Sequence, residues 1–413
     1  MTRQPSSQPS TGNPAITISA RGAERLRSGH VWVYSSDVLK AAAGPGSIVD
    51  VMDGRGRVFG TAFYSSSSQI ALRLLSPKTL PAAAAIQQLI PERVGAAIDY
   101  RQRVVAGSDA YRLVFSEADG LPGLIVDRYG AILSLQILTQ GMDSPELRHS
   151  VLDALVSRLA PAAIIERVDP RIRELEKLPA LPTRVAWADG MAIGANAPEA
   201  RVPALAFCMN GVRFQFDPMA GQKTGAFLDQ RENYAAAARY AHGNALDCFC
   251  YHGGFALHLA RACSSVAGVD SSRAALECAE ANARLNGCEI EWIEANAFDL
   301  LKDYAAARRE YDTVVLDPPA FARNRASVPT ALGGYKELNL RALRMLRPNG
   351  ILVTCSCSHH VSEADLLGVL ASAALDAHRT VRILERRGAS LDHPAILTIP
   401  ETAYLKCIIG SVI

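Results

Sequence analysis

From Asn244 to the C-terminus, short apolar runs alternate with longer amphipathic stretches. Runs near 244–250, 265–270, 289–294, 311–317, 351–357, 380–386 and 402–409 predict strands. Stretches near 255–263, 272–286, 298–309, 334–346 and 362–378 predict helices, because their apolar positions recur at helical spacing. Asn286-Gly287 and Pro348-Asn349-Gly350 supply stops and turns. Strand and helix alternating through seven strands predict an α/β fold with a doubly wound, Rossmann-like sheet. In such sheets ligands bind beyond the carboxyl ends of the strands.

The first half reads differently. Between Ile16 and Ser76 the pattern is short β-like runs broken by Gly, Ser and Pro, with one helix around Arg21 to Arg27. That predicts a small β-barrel. Residues 81–103 read as a helical connector. Beyond Tyr111, strand, strand, a helix over 144–159 and the strand at Ala163 predict a small α+β module. Residues 178–203 look like an irregular surface segment, and two strands follow over 208–216. A helix starting near Asp229 leads into the large sheet. The expected division is a disordered leader over 1–14, a β domain over 15–95, the α+β module over 96–205 and the α/β domain over 206–413.

Composition narrows the class. At 413 residues the chain is long enough for two or three domains, and 49% apolar with 20% charged residues is a globular balance. No apolar run approaches the ~20 residues that span a bilayer, and the first residues lack the apolar core of a secretory signal. A cytoplasmic protein is expected. All nine cysteines lie from Cys208 onward and are expected to be reduced. Two Cys-x-Cys pairs, at 248/250 and 355/357, raise the question of metal. Their strands should be two inter-strand steps apart, roughly 9–10 Å, whereas a disulfide needs Cα atoms within about 7 Å. Neither a disulfide nor a metal site is expected. The net charge of +2 is uninformative, but residues 16–80 hold eight Lys/Arg against four Asp/Glu, a surplus of four. A small basic β domain with aromatics suits RNA contacts; an ordinary solvated surface would look similar. Arg21, Arg25, His30 and Trp32 are the candidates there, joined by Lys223 and Arg231, which flank a Gly-Thr-Gly-like turn and could equally belong to a plain helix cap.

Chemistry concentrates at the expected strand ends. Ala245-Leu-Asp247-Cys-Phe249-Cys250 runs into Gly253-Gly254 and a helix. Asp270 ends the next strand, 16 residues past Gly254, where a carboxylate can accept from both ribose hydroxyls. Asp317-Pro318-Pro319-Ala320-Phe321 and Cys355-Ser356-Cys357-Ser358 end two more. In this order the four stretches resemble the class I S-adenosylmethionine-dependent methyltransferases. Further stretches sharpen the likeness: Arg25-x-x-Ser28-Gly29-His30-Val31-Trp32-Val33-Tyr34, the block from Glu117 to Gly130, Gly221 to Arg231, and Gly334-Tyr335-Lys336-Glu337-Leu338-Asn339. From about residue 16 onward the chain resembles the bacterial 23S rRNA large-subunit methyltransferases that make 5-methylcytosine.

The resemblance implies an N-terminal PUA-like RNA-binding domain and S-adenosyl-L-methionine as cofactor. It also implies 23S rRNA or a large-subunit assembly intermediate as partner, with no metal and no membrane, in a monomer or homodimer. Asp247, Phe249, Gly253, Gly254, Asp270, Ser271, Asn296 and Asp317 would form the cofactor set. The chain departs from the family pattern at Ala226, Cys250, His252, Asn296 and Ala320. The chemistry needs a thiol: carbon 5 of cytosine becomes nucleophilic when a thiolate adds at carbon 6. Cys357 is the candidate nucleophile over Cys355, which lies deeper, and Asp317 the candidate for holding the base edge. Glu401 and His359 are candidates for removing the carbon 5 proton. Two other readings fit the pattern: a guanine N2 or N7 methyltransferase that needs no cysteine, and a catalytically weak RNA-binding assembly factor.

Overall fold

The computed structural model describes residues 12–188, 190–192, 204–217, 219, 226–322 and 324–413. Lys223 and all of 193–203 lie outside them. Residues 12–14, expected to belong to the leader, are among those described. The Asn13 side chain donates to Asp50 at 3.1 Å and to the Leu80 carbonyl at 2.8 Å, which corrects the expectation of a disordered leader reaching residue 14.

Six strands form the N-terminal β domain: β1 (Ala15–Ile18), β2 (Trp32–Tyr34), β3 (Val38–Ala41), β4 (Ile48–Asp53), β5 (Val58–Tyr64) and β6 (Ile70–Ser76). They order as β2-β6-β5-β4-β1-β3, with β1 and β4 parallel. Alternate residues such as Ile16, Ile18, Val49, Val51 and Leu72 point into its core, as the period-2 pattern requires. The helix Ala20–Arg27 starts where the Ser19 hydroxyl accepts the Gly22 amide.

The central module has β7 (Ala110–Phe115), β8 (Leu124–Tyr129), β9 (Ile132–Ile137), β10 (Ala163–Glu166), β11 (Arg184–Ala188) and β12 (Met191–Ala192), in reverse order across one sheet. Helix Pro145–Leu159 makes the crossover between the parallel β9 and β10. The boundary expected at residue 95 falls inside helix Ile90–Val104. Ile90, Val94 and Ile98 are buried with Leu113, Leu124 and Leu155, so this helix is a layer of the central module and no mere connector. Ile48, Phe63 and Leu75 join the same core, and the two domains share apolar contact. The segment read as irregular contains β11, paired to β10.

A hairpin, β13 (Leu205–Met209) and β14 (Val212–Phe216), precedes the large sheet. That sheet holds β15 (Asn244–Cys248), β16 (Ser265–Asp270), β17 (Glu291–Glu294), β18 (Tyr311–Leu316), β19 (Leu346–Ser356), β20 (Val381–Arg387) and β21 (Lys406–Val412). The order is β17-β16-β15-β18-β19-β21-β20, and only β21 runs antiparallel to its neighbours. The strand order reverses between β15 and β18, and there the candidate residues gather. β15 stops at Cys248, two residues earlier than the pattern predicts, because Phe249 and Tyr251 adopt left-handed φ of 65° and 48°. Such backbone is costly for bulky residues and marks a turn held by its surroundings. β21 starts four residues late, since 400–402 form a single tight helical turn.

Candidate active site

A cavity of about 480 Å³ opens at the carboxyl ends of β15, β16, β18 and β19. Phe207, Met209 and Phe214 of the hairpin wall one side. A larger, shallow depression of about 860 Å³ lies at the opposite, amino ends of the strands and contains none of the candidate residues.

On the β15 side, the strained turn is tied to the next strand. Asp270 accepts from the Tyr251 amide through Oδ2 and from the Ser272 amide through Oδ1, both at 2.9 Å. Beneath the turn Asp247 is fully buried; Oδ2 accepts the Ala256 amide at 2.8 Å, while Oδ1 has no partner. Burial, with the nearby charges of Asp317 and Asp270, pushes its carboxyl well above the usual range. A side chain at Gly254 would meet the Tyr234 ring at 2.5 Å, and Gly253 sits at φ +84° with Trp292 2.9 Å from where its Cβ would be. The two glycines let the turn pack on these rings. Gly254, Phe249, Asp270 and Ser271 line the cavity; Asp247, Gly253 and Asn296 do not. The expectation for Asn296 is corrected: its side chain caps helix Ala297–Ala306 by accepting the Phe298 amide at 2.9 Å.

On the β18 and β19 side, Asp317 to Ala320, Cys357, His359 and Tyr404 line the cavity. Oδ1 of Asp317 accepts from Nε2 of Gln230 at 3.0 Å. Cys357 is half-buried, with Sγ 3.9 Å from the Pro318 carbonyl. Both flanking serines bond one phenol: Ser356 donates to the Tyr335 hydroxyl at 2.9 Å, and that hydroxyl lies 3.1 Å from Ser358 Oγ. Cys355 is fully buried opposite Cys407 in the ladder between β19 and β21, and burial pushes its thiol well above the ordinary value. Cys250 reaches the cavity but is only 5% exposed, and burial raises its thiol too. Burial lowers the pKa of His359, so the ring is neutral at neutral pH. Glu401 is not a cavity residue; its Oε2 lies 3.3 Å from His30 Nε2.

Two family models match, a PUA-like domain over residues 16–77 and an S-adenosylmethionine-dependent methyltransferase over 200–402. A Shewanella amazonensis protein named ribosomal RNA large subunit methyltransferase I is 37% identical over 396 residues, covering 93% of this chain and 95% of its own. The protein of that name from Klebsiella pneumoniae strain 342 is 35% identical over 400 residues, covering 94% and 96%. The chain belongs to the ribosomal RNA large subunit methyltransferase I family. It is accordingly an S-adenosylmethionine-dependent rRNA methyltransferase. The crystal structure of SMU.776 complexed with SAH superposes with a TM-score of 0.80 at 18% identity, covering 96% of this chain and all of that one, and shows the shared fold.

The residues of this methyltransferase fit its cofactor. Asp270 lines the cavity and offers further lone pairs to hydroxyls, and beneath the lining turn the buried Oδ1 of Asp247 is left without a partner. The RNA candidates fare unevenly. Arg21 donates to Asp37 at 2.7 Å yet stays 65% exposed. Arg25 bonds the same carboxylate and lies 4.6 Å over the Tyr34 ring. Trp32 Nε1 donates to Glu117 at 2.9 Å, which with the His30–Glu401 contact makes these two residues part of the domain junctions. The expectation for Arg231 is corrected. It is 2% exposed and bonds Asp392 at 3.0 Å and Glu232 at 3.2 Å, so burial removes it from any RNA surface.

Sequence reasoning missed Asp229, Gln230, Tyr234 and Tyr404, which all line the cavity. The Leu228-Asp229-Gln230-Arg231 run was visible, but no local pattern reveals which of its polar residues turn inward. Among the described residues no helix is long and apolar enough to cross a membrane.

Proposed function

We propose that this chain methylates carbon 5 of a cytosine in 23S ribosomal RNA through a covalent adduct on Cys357. The observation that carries the reading is a half-buried thiol lining the cavity beside Asp317, on a turn whose two serines are tied to Tyr335. The names of the relatives and the PUA-like domain support large-subunit RNA as the partner.

The cofactor, when bound, supplies an electrophilic methyl group. Carbon 5 of cytosine is a poor nucleophile until the Cys357 thiolate adds at carbon 6. Carbon 5 then takes the methyl, its proton passes to a base, and the thiolate leaves. Asp317 holds the base edge, itself steadied by Gln230. His359 is the better base of the two candidates, because it is neutral and lines the cavity, whereas Glu401 faces His30.

RNA carrying 5-fluorocytosine has no proton at carbon 5, so release is blocked after methyl transfer. The wild-type protein should form an adduct that survives denaturing electrophoresis, and Cys357→Ala should not. An adduct that persists in Cys357→Ala and disappears in Cys355→Ala would exchange the two roles. Continued methylation in both variants would replace this reading with guanine methylation.

A further inference from the structure

Lys406 opens β21 ahead of the apolar run Cys407-Ile408-Ile409, directly opposite Ser356 in the ladder with β19. The residue is 6% exposed. Its ammonium donates to the Ser358 carbonyl at 2.6 Å and to the Tyr404 carbonyl at 2.8 Å. Among the described residues it has no carboxylate within ion-pair distance. An ammonium buried without a counter-charge is unfavourable. Its two carbonyl partners belong to the two loops that bring Cys357 and Tyr404 to the cavity.

We infer that Lys406 is a positioning residue for the Cys357 thiolate: its ammonium supplies the counter-charge that lets the thiol ionise, and its two hydrogen bonds fix the turn that carries it. The inference rests on Cys357 being the nucleophile. The charged and titratable groups around that thiol favour it. Asp317, on the loop after β18, brings a negative charge that opposes ionisation. Tyr335, from helix Val328–Met345, and Tyr404 have raised pKa values and stay neutral, as does His359 with its lowered one. Asp365, from helix Glu363–Asp376, acts on Lys406 and favours its charged form. Asp229, against the Tyr404 hydroxyl, adds a second negative charge, and Arg112 is paired with Asp127, so among these described groups Lys406 is the cation left to the turn. Burial lowers its pKa to about 8 against the raising effect of Cys357, which leaves it charged at neutral pH. A cation beside a cysteine is a recognised way to depress a thiol pKa.

The test is the pH dependence of Cys357 alkylation by iodoacetamide in the full-length protein without RNA, read by mass spectrometry of the peptide that contains it. Wild-type half-reactivity should fall at least one unit below the ordinary thiol value of about 8.5. Lys406→Met should move it up by about one unit or more, equivalent to about tenfold less thiolate at pH 7, and Lys406→Arg should restore part of the shift. Methyl transfer by Lys406→Met should drop at pH 7 and recover partly at pH 9, with the KM for S-adenosylmethionine unchanged. A wild-type half-reactivity at or above 8.5 overturns the inference without any variant, as does a Lys406→Met profile that superposes on wild type. Methylation surviving in Cys357→Ala overturns the nucleophile reading instead, so the two failures are distinct.

Discussion

The side-chain amide of Gln230 donates to Oδ1 of Asp317 across 3.0 Å, joining the segment that enters the large sheet to the loop that leaves β18. Gln230 is itself buried and accepts from Asn233 at 2.7 Å, so its amide is oriented before any substrate arrives. Hydrogen bonds to charged groups contribute about 1.5–3 kcal/mol. Gln230→Ala should therefore lower kcat/KM for RNA methylation by about tenfold to a hundredfold. Gln230→Glu should be worse, because it sets a second carboxylate against Asp317. Steady-state kinetics on rRNA fragments check this; unchanged rates in both variants would detach Gln230 from the site.

Asp270 holds the strained turn through both oxygens and lines the cavity. Asp270→Ala should weaken S-adenosylmethionine binding by roughly tenfold to a hundredfold, on the same scale for charged acceptors. Titration calorimetry measures it. Asp270→Asn should lose less, since one oxygen still accepts an amide. Equal affinity for all three proteins would remove Asp270 from the cofactor set.

Arg231 and Asp392 form a buried pair, and Asp392 also accepts the Arg112 amide at 2.8 Å. Breaking a buried pair from one side typically costs about 3–5 kcal/mol. Arg231→Met should lower the denaturation midpoint accordingly and leave the salt dependence of RNA binding unchanged. Burial raises the Asp392 pKa, but His393, Arg231 and the Arg112 amide outweigh it and hold the carboxyl well below its ordinary value. A depressed native pKa means stability that is complete above the unfolded value of about 4 and is lost as pH falls toward the native value. The acid limb of wild-type stability should thus be steeper below about pH 4 than that of Asp392→Asn. Parallel acid limbs would mean that Asp392 does not carry this linkage.

Arg21 is an exposed cation of the basic β domain, bonded to Asp37. If it meets phosphate, Arg21→Gln should weaken binding about equally for all RNA sequences and reduce the slope of log affinity against log salt by about one. Filter binding at several salt concentrations reads the slope. An unchanged slope would place the RNA backbone elsewhere. Deleting the whole β domain would also strip Ile48, Phe63 and Leu75 from the core of the central module, so the single substitution is the cleaner test.

The sequence by itself determined the sheet and the address of its site. Apolar runs of strand length alternating with helical periodicity leave little choice but a wound α/β sheet; Asp270, Asp317 and Cys357 lie at or just beyond strand ends and Asp247 one residue inside one. The deeper burial of Cys355 than of Cys357 was also legible, since two residues along a strand is one step deeper on the same face. What only the tertiary structure decided are contacts between residues far apart in the chain. Arg231 meets Asp392 across 161 positions, Asp317 meets Gln230 across 87, and His30 meets Glu401 across 371. A cation in a motif reads the same whether it faces RNA or a buried carboxylate. Periodicity fixes which face of an element is covered, but the partner that covers it comes from another element, and only packing decides which one.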